Sequence, residues 1–275
     1  MSTIPQAVTP RPSTGRALGS VRAALLVVEG MWTWYRRNWR ATVVSSFLNP
    51  VLFLVAMGFG LGSQITPGAA TDGLRYVEYL APAMLVMALV QNAVFESTYP
   101  VLSAFKWQRT YWAMTASPIT PGQVLGGQLA WVAVRMVFSG VAFLVVAAVL
   151  GAVTGFGVIL SLVFAVLSAM ATCAPVLAFS ATIESEGQQF NGLFRFVLMP
   201  MTLLAGTFFP VSQLPEWLRP LAWLTPLWHG TELARGAAFG TLRLWPALGH
   251  VGYLLAMLAV GALIARRLFE RRLAR

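Results

Sequence analysis

The fold class this sequence predicts is an all-α membrane protein: six transmembrane helices, an N-terminal interfacial helix, and a re-entrant helical hairpin between spans five and six. Three observations carry that expectation. The 275-residue chain is 57% hydrophobic and 10% charged with a mean hydropathy of +0.71, too few charges to cover a soluble globule of this size. Six apolar runs each come near the ~20 residues that cross ~30 Å of hydrocarbon. A Trp- and Pro-rich stretch after the fifth run is too apolar for water, yet its prolines divide it too finely to span.

Residues 1–17 carry Pro5, Pro10 and Pro12 among Ser and Thr with no apolar face to bury, so a disordered cytoplasmic tail is expected. A signal peptide is not, because the only early apolar run, 23–28, is shorter than an h-region and lacks a small-residue cleavage site. Residues 18–40 mix Leu, Val and Trp with Arg22, Arg36, Arg37 and Arg40, as an interfacial helix does, with Trp32, Trp34, Tyr35 and Trp39 as headgroup anchors. A juxtamembrane flank with ordinary aromatic-belt residues reads the same pattern equally well. The transmembrane domain then occupies 41–272, with spans expected near 43–61, 79–96, 125–150, 156–181, 190–209 and 248–264.

An even number of spans puts both termini on one side. With that side cytoplasmic, thirteen basic residues fall inside, against Arg75, Arg219, Arg235 and Arg243 outside, and the positive-inside rule selects this orientation. The same asymmetry accounts for the net charge of +10 without nucleic acid. No internal repeat supports an inverted-repeat transporter. The single Cys173 excludes an intrachain disulfide.

Two segments carry more information than the spans. In the inside loop after span two, residues 101–114 are expected to form one helix, with Phe105, Trp107, Tyr111 and Trp112 as apolar surface and Lys106, Gln108 and Arg109 as polar handles. Ser117-Pro118 and Thr120-Pro121 end it. Such a helix is a docking knob for a soluble partner or simply lies on the inner leaflet. Between spans five and six, Pro210 is expected to break the chain into two short helices. One starts at Pro215-Glu216 and the other at Thr225-Pro226, where threonine caps and proline's missing N–H costs least. Backbone groups at the ends of such pieces must face protein or a wet cavity. If that cavity is an exit path, Glu232 and Arg235 on the second short helix line its wall and Trp223 and Trp228 close it, an outer gate; otherwise Glu232 and Arg235 are a surface pair.

Ionisable residues at membrane depth are the remaining signals. Arg135 needs a partner or must snorkel, and Asn92 and Glu96, four residues apart on one face of span two, can pair with it or line a polar path. Glu184 and Glu186 lie where Arg195 can reach back to them. Gly58, Gly60 and Gly62 permit close helix approach. A phosphate-binding GxxxxGK[ST] loop is impossible, because the only lysine, Lys106, sits between Phe105 and Trp107. His229 and His250 have no Cys or His at ligand spacing, so no metal site or cofactor is expected in this chain, and no GxSxG elbow accompanies the serines.

The order of parts, with FKWQRTYWAMTASPIT on the inside loop and GTFFPVSQLPEWLRPLAWLTPLWHGTELAR before the last span, resembles the permease subunits of type-2 ABC exporters. Within them the chain is most similar to the lipo-oligosaccharide (nodulation-type) and daunorubicin-type exporter permeases, over roughly residues 36–272. The resemblance implies a homodimer of permeases with two copies of a cytoplasmic ABC ATPase, which holds the ATP and Mg. It also implies coupling to the ATPase through Lys106, Trp107, Gln108 and Arg109, a hairpin roofing the outer end of the pathway, and an inner-membrane, multi-pass location. The expected function is ATP-driven export of an amphipathic lipid, glycolipid or hydrophobic drug, with hydrolysis on the separate subunit. A non-transporting membrane scaffold or sensor is the alternative, and an intramembrane enzyme is opposed by the missing catalytic constellation.

Overall fold

A computed structural model of the chain describes residues 19–62, 68 and 73–274, without the side chains of 34, 38–51, 53, 57, 59 and 61. The tail expected at 1–17 therefore lies outside the described residues, as do the side chains of Trp34, Trp39 and Arg40. The described chain is helical, with no strand in it. Helix α1, Ser20–Val55, runs unbroken through the boundary expected at residue 40 and continues into a wide π turn, Ala56–Leu61. Helices α2, Tyr76–Ser97, and α3, Tyr99–Phe105, follow, then the short α4, Thr110–Thr115. The long α5, Pro121–Val149, and α6, Gly157–Thr182, come next. The chain then passes through α7, Gln189–Leu193, a π turn, Phe194–Leu198, and α8, Met199–Leu204. A 3-10 turn, Val211–Gln213, leads to α9, Arg219–Trp223, α10, Pro226–Ala238, and the last helix α11, Leu244–Leu273.

Four stretches among the described residues are long and apolar enough to cross a membrane: Tyr76–Phe105, Pro121–Val149, Gly157–Thr182 and Leu244–Leu273. They coincide with the second, third, fourth and sixth expected spans. The first expected span forms the end of α1 and the π turn after it. The fifth is shorter than its sequence pattern, because helix ends at Leu204 and Gly206 turns the backbone at φ +77°, before Pro210 is reached. Capping starts α5, where Thr120 Oγ1 accepts from the Gln123 N–H and the Gln123 side chain accepts from the Thr120 N–H.

Helix α6 is the central strut, packed by α2, α10, α11 and α5. Its small residues Ala165, Ser168, Ala169, Ala174 and Ser180 are fully buried, which lets neighbours approach closely. Helix α1 docks on α5 by the same device: a Cβ at Gly127 would stand 2.4 Å from Val27 Cβ. Gly58 likewise lies against Val77, whereas Gly60 faces open space.

Candidate functional site

The Pro-divided segment, the expected hairpin, folds into short helices whose backbone ends are satisfied by side chains of the segment itself and of neighbouring helices. Thr225 caps α10, accepting from the Trp228 N–H at 3.2 Å, with Pro226 at the start of the helix. The second helix signal thus acts at the residue where the sequence puts it. The first does not: residues 215–218 form a turn, and α9 begins at Arg219, whose guanidinium donates to the carbonyls of Leu214 at 3.1 Å and Ser212 at 2.9 Å. At the end of α9, the Trp223 carbonyl lies 2.9 Å from His229 Nε2 and the Leu224 carbonyl accepts from Tyr253 Oη at 2.5 Å. Helix α10 is pinned to α6 through Ser168 Oγ to the Pro226 carbonyl at 2.8 Å and Ser161 Oγ to the Ala234 carbonyl at 2.7 Å. Gly230 makes this possible, since a Cβ there would stand 2.5 Å from Ser168 Cβ.

Three consecutive carbonyls where the chain leaves α8 are held the same way. Arg235 donates through Nη1 to Gly206 at 2.7 Å and through Nη2 to Thr207 at 2.9 Å, and Tyr76 Oη donates to Phe208 at 3.2 Å. The Arg235 guanidinium lies over the Tyr79 ring, 4.0 Å from its centroid. Arg235 is thereby a buried strut joining α10, α2 and the break after α8.

The hairpin, together with Tyr79 of α2 and the start of α11, lines an open cavity of about 660 Å³, within the size range of small-molecule sites. Trp223, Trp228, Glu232 and Arg235, the four residues expected at an outer gate, all line it. Tyr79, Arg219, Arg243 and His250 stand in the same wall, with Ser212, Phe239 and Thr241. Trp223 and Trp228 face each other at 6.3 Å between centroids.

His229 and His250, separate features in the sequence, meet here with their Nδ1 atoms 2.7 Å apart. The Trp223 carbonyl can only accept, so His229 Nε2 carries a proton. Burial, and then the His250 ring, push the His229 imidazole down to about 4, so it is neutral at pH 7. His229 Nδ1 must then accept, and His250 Nδ1 donates. Tyr253 stacks on His229 at 4.0 Å, so the first turns of α11 clamp the segment by two rings one turn apart. Spacing of 21 residues gave no sign of this pair.

The inside-loop segment is not one helix over 101–114. It breaks at residues 106–109, with Arg109 in the left-handed region at φ +53°. The break has a tertiary cause: Lys106 Nζ and Trp107 Nε1 both donate to the Glu186 carboxylate, at 2.5 Å and 3.2 Å. Trp112 Nε1 caps the freed Phe105 carbonyl at 3.0 Å. Of the apolar surface expected to face a partner, Phe105 and Tyr111 are instead buried against Phe269, while Trp107, Gln108 and Arg109 form an exposed tip with the half-buried Lys106 behind them. The bond from Lys106 holds the Glu186 carboxyl below the usual carboxylate range. Glu186 thus serves Lys106 and Trp107, not Arg195.

Arg135 finds its partner on α2: Nη1 pairs with Glu96 Oε1, and the guanidinium sits over the Tyr35 ring of α1 at 4.9 Å. Asn92 Nδ2 donates to Ser139 Oγ at 3.2 Å, one turn along the same α2–α5 seam. Side-chain exposures of 13% for Arg135 and 20% for Glu96 leave the pair partly open to the surface.

A family model described as ABC-2 type transporter matches residues 23–239. Among similar proteins, Nodulation protein J of Sinorhizobium fredii (strain NBRC 101917 / NGR234) is 32% identical, over 78% of this chain and 85% of its own length. Nodulation protein J of Rhizobium leguminosarum bv. viciae is 30% identical, over 88% and 94%. The inner membrane transport permease YadH of Escherichia coli (strain K12) is 24% identical, over 86% and 90%.

Proposed function

The chain belongs to the ABC-2 type transporter family, and on that premise we propose that it is the membrane-spanning permease subunit of an ATP-driven exporter. As a membrane transport permease of this family it associates with an ATPase subunit. In our reading two permeases form a homodimer with two ATPases, which bind ATP and Mg, and the complex moves an amphipathic lipid, glycolipid or lipo-oligosaccharide, or hydrophobic drug outward across the inner membrane. Six spans, both termini cytoplasmic and the hairpin dipping into the outer face complete the proposal.

The match over residues 23–239 carries this reading, because it includes both distinctive segments. The exposed tip of Trp107, Gln108 and Arg109 supports coupling there: an aromatic ring and a cation project from a loop that Glu186 braces. Relatives called nodulation proteins and a transport permease support the transport role. The four gate residues share one cavity, which supports an exit through it.

Affinity purification of the chain tests the proposal. An ATPase with a Walker A loop is expected to co-purify, and Trp107→Ala with Arg109→Glu is expected to lose it or uncouple it while membrane insertion stays normal. Retention of the ATPase and of transport by that double variant would sink the coupling role, and failure of any ATPase to co-purify would leave a scaffold.

A further inference from the structure

We propose that the hairpin cavity is a binding site for an anionic amphiphile whose headgroup also carries hydroxyl groups, with its acyl chain lying on the apolar rim outside. Three guanidinium groups, Arg219, Arg235 and Arg243, line the cavity against one carboxylate, Glu232. Arg219 and Arg235 are fixed by main-chain carbonyls, so their positive charge is built into the wall at set positions. Arg243 is exposed and forms no ion pair among the described residues, which leaves its whole fork for an incoming anion. Arginine forks match phosphate, sulfate and carboxylate oxygens with two parallel hydrogen bonds.

Two further features narrow the headgroup. His250 spends its Nδ1 proton on His229, so its Nε2 is an acceptor, and the Glu232 carboxylate also accepts; both residues line the cavity. Acceptors beside a cationic wall suit an anion that brings hydroxyl donors with it. Next in sequence to the lining residues Trp223, Arg243 and Pro246 stand exposed Leu224, Leu244 and Trp245, with exposed Leu221 two residues before Trp223; Trp245 is 82% exposed and Leu244 68%. An apolar rim with tryptophan belongs at the membrane boundary, where one end of an amphiphile is wet and the other is not. Phosphoglycerol lipids and acidic glycolipids share this chemistry.

The site goes beyond the transport reading and is read by equilibrium binding, so its failure and the failure of export are separate results. Full-length chain with its ATPase is placed in phosphatidylcholine nanodiscs and titrated with phosphatidylglycerol, retained lipid being counted by native mass spectrometry. Phosphatidylglycerol is expected to bind with a preference that Arg243→Glu lowers about tenfold, the loss of one charge-assisted pair. Arg266→Glu, at the far end of α11, is expected to leave it unchanged. Equal retention of both lipids, or a preference that survives Arg243→Glu, overturns the proposal. Displacement by free glycerol phosphate as effective as by the intact lipid also overturns it, because the apolar rim would then contribute nothing. ATP turnover distinguishes the two sources: bound phosphatidylglycerol that is chased on hydrolysis stands in for cargo, and bound lipid that stays is a constituent of the bilayer.

Discussion

Replacing Arg235 with methionine keeps the apolar stem and removes the guanidinium, which isolates its role as a strut. Two carbonyls, of Gly206 and Thr207, lose their donors at a place where the chain has left α8 and has no helical partner to offer. An unsatisfied buried acceptor costs about 1–3 kcal/mol, and the stacking over Tyr79 adds up to ~2 kcal/mol when desolvated. Against this stands the relief of a buried cation's desolvation, so a net loss of roughly 2–6 kcal/mol is expected. At ~2–4 °C per kcal/mol for a chain of this size, the midpoint falls by roughly 4–24 °C. Heating detergent-solubilised protein and following the monodisperse peak by size exclusion measures it. Arg235→Lys, which keeps the charge but cannot span both carbonyls, is expected to fall between. A midpoint for Arg235→Met within ~2 °C of wild type refutes the argument, since the two carbonyls must then be satisfied without this side chain.

The His229 imidazole, lowered to about 4 from 6.5, sets a pH window with a definite sign: the folded state binds its proton less readily than the unfolded chain, so its stabilisation is complete above about 6.5 and is lost as pH falls toward 4. Melting of wild type is expected to decline over that range more steeply than melting of His229→Gln; parallel curves would refute the neutral pair. For topology, in a Cys173→Ala background a cysteine at Gly68 is expected to react with an impermeant maleimide from outside sealed cells, and one at Ala274 is not; labelling at Ala274 reverses the orientation.

What the sequence made legible follows the range of the signals. Apolar runs are local and repeated, so four long helices fall where the pattern puts them. Thr225-Pro226 is a complete local cap, and α10 starts there. Pro215-Glu216 is an equally local signal, yet α9 begins at Arg219, because Arg219 reaches back to the Ser212 and Leu214 carbonyls and holds the preceding turn open. The break at 106–109 depends on Glu186, 80 positions away from Lys106, and no pattern within the loop announces it. The end of α8 at Leu204 depends on Arg235 for the same reason. That Trp223, Trp228, Glu232 and Arg235 share one wall was legible by type and spacing on one short helix and its neighbour, whereas His250 enters their cavity from α11 and could be found only by folding the chain.

Helix α11 then ties the two candidate regions together without any intervening loop. Near its start, His250 and Tyr253 hold the end of α9 through the His229 ring and the Leu224 carbonyl. Near its end, Phe269 packs on Phe105 and Tyr111, and Arg272 lies over the Phe105 ring while donating to the carbonyls of Ser180 and Ala181. From residue 250 to residue 272 a helix extends ~33 Å, about the thickness of the hydrocarbon core. Between these ends Gly261 lies so close to Pro175 of α6 that a Cβ would stand 2.7 Å from the ring nitrogen, which fixes the rod against the central strut. On the coupling proposed above, an ATPase acting on the exposed tip at Trp107 works next to Phe105 and Tyr111, and through their contact with Phe269 it reaches the same helix that carries His250 and Tyr253.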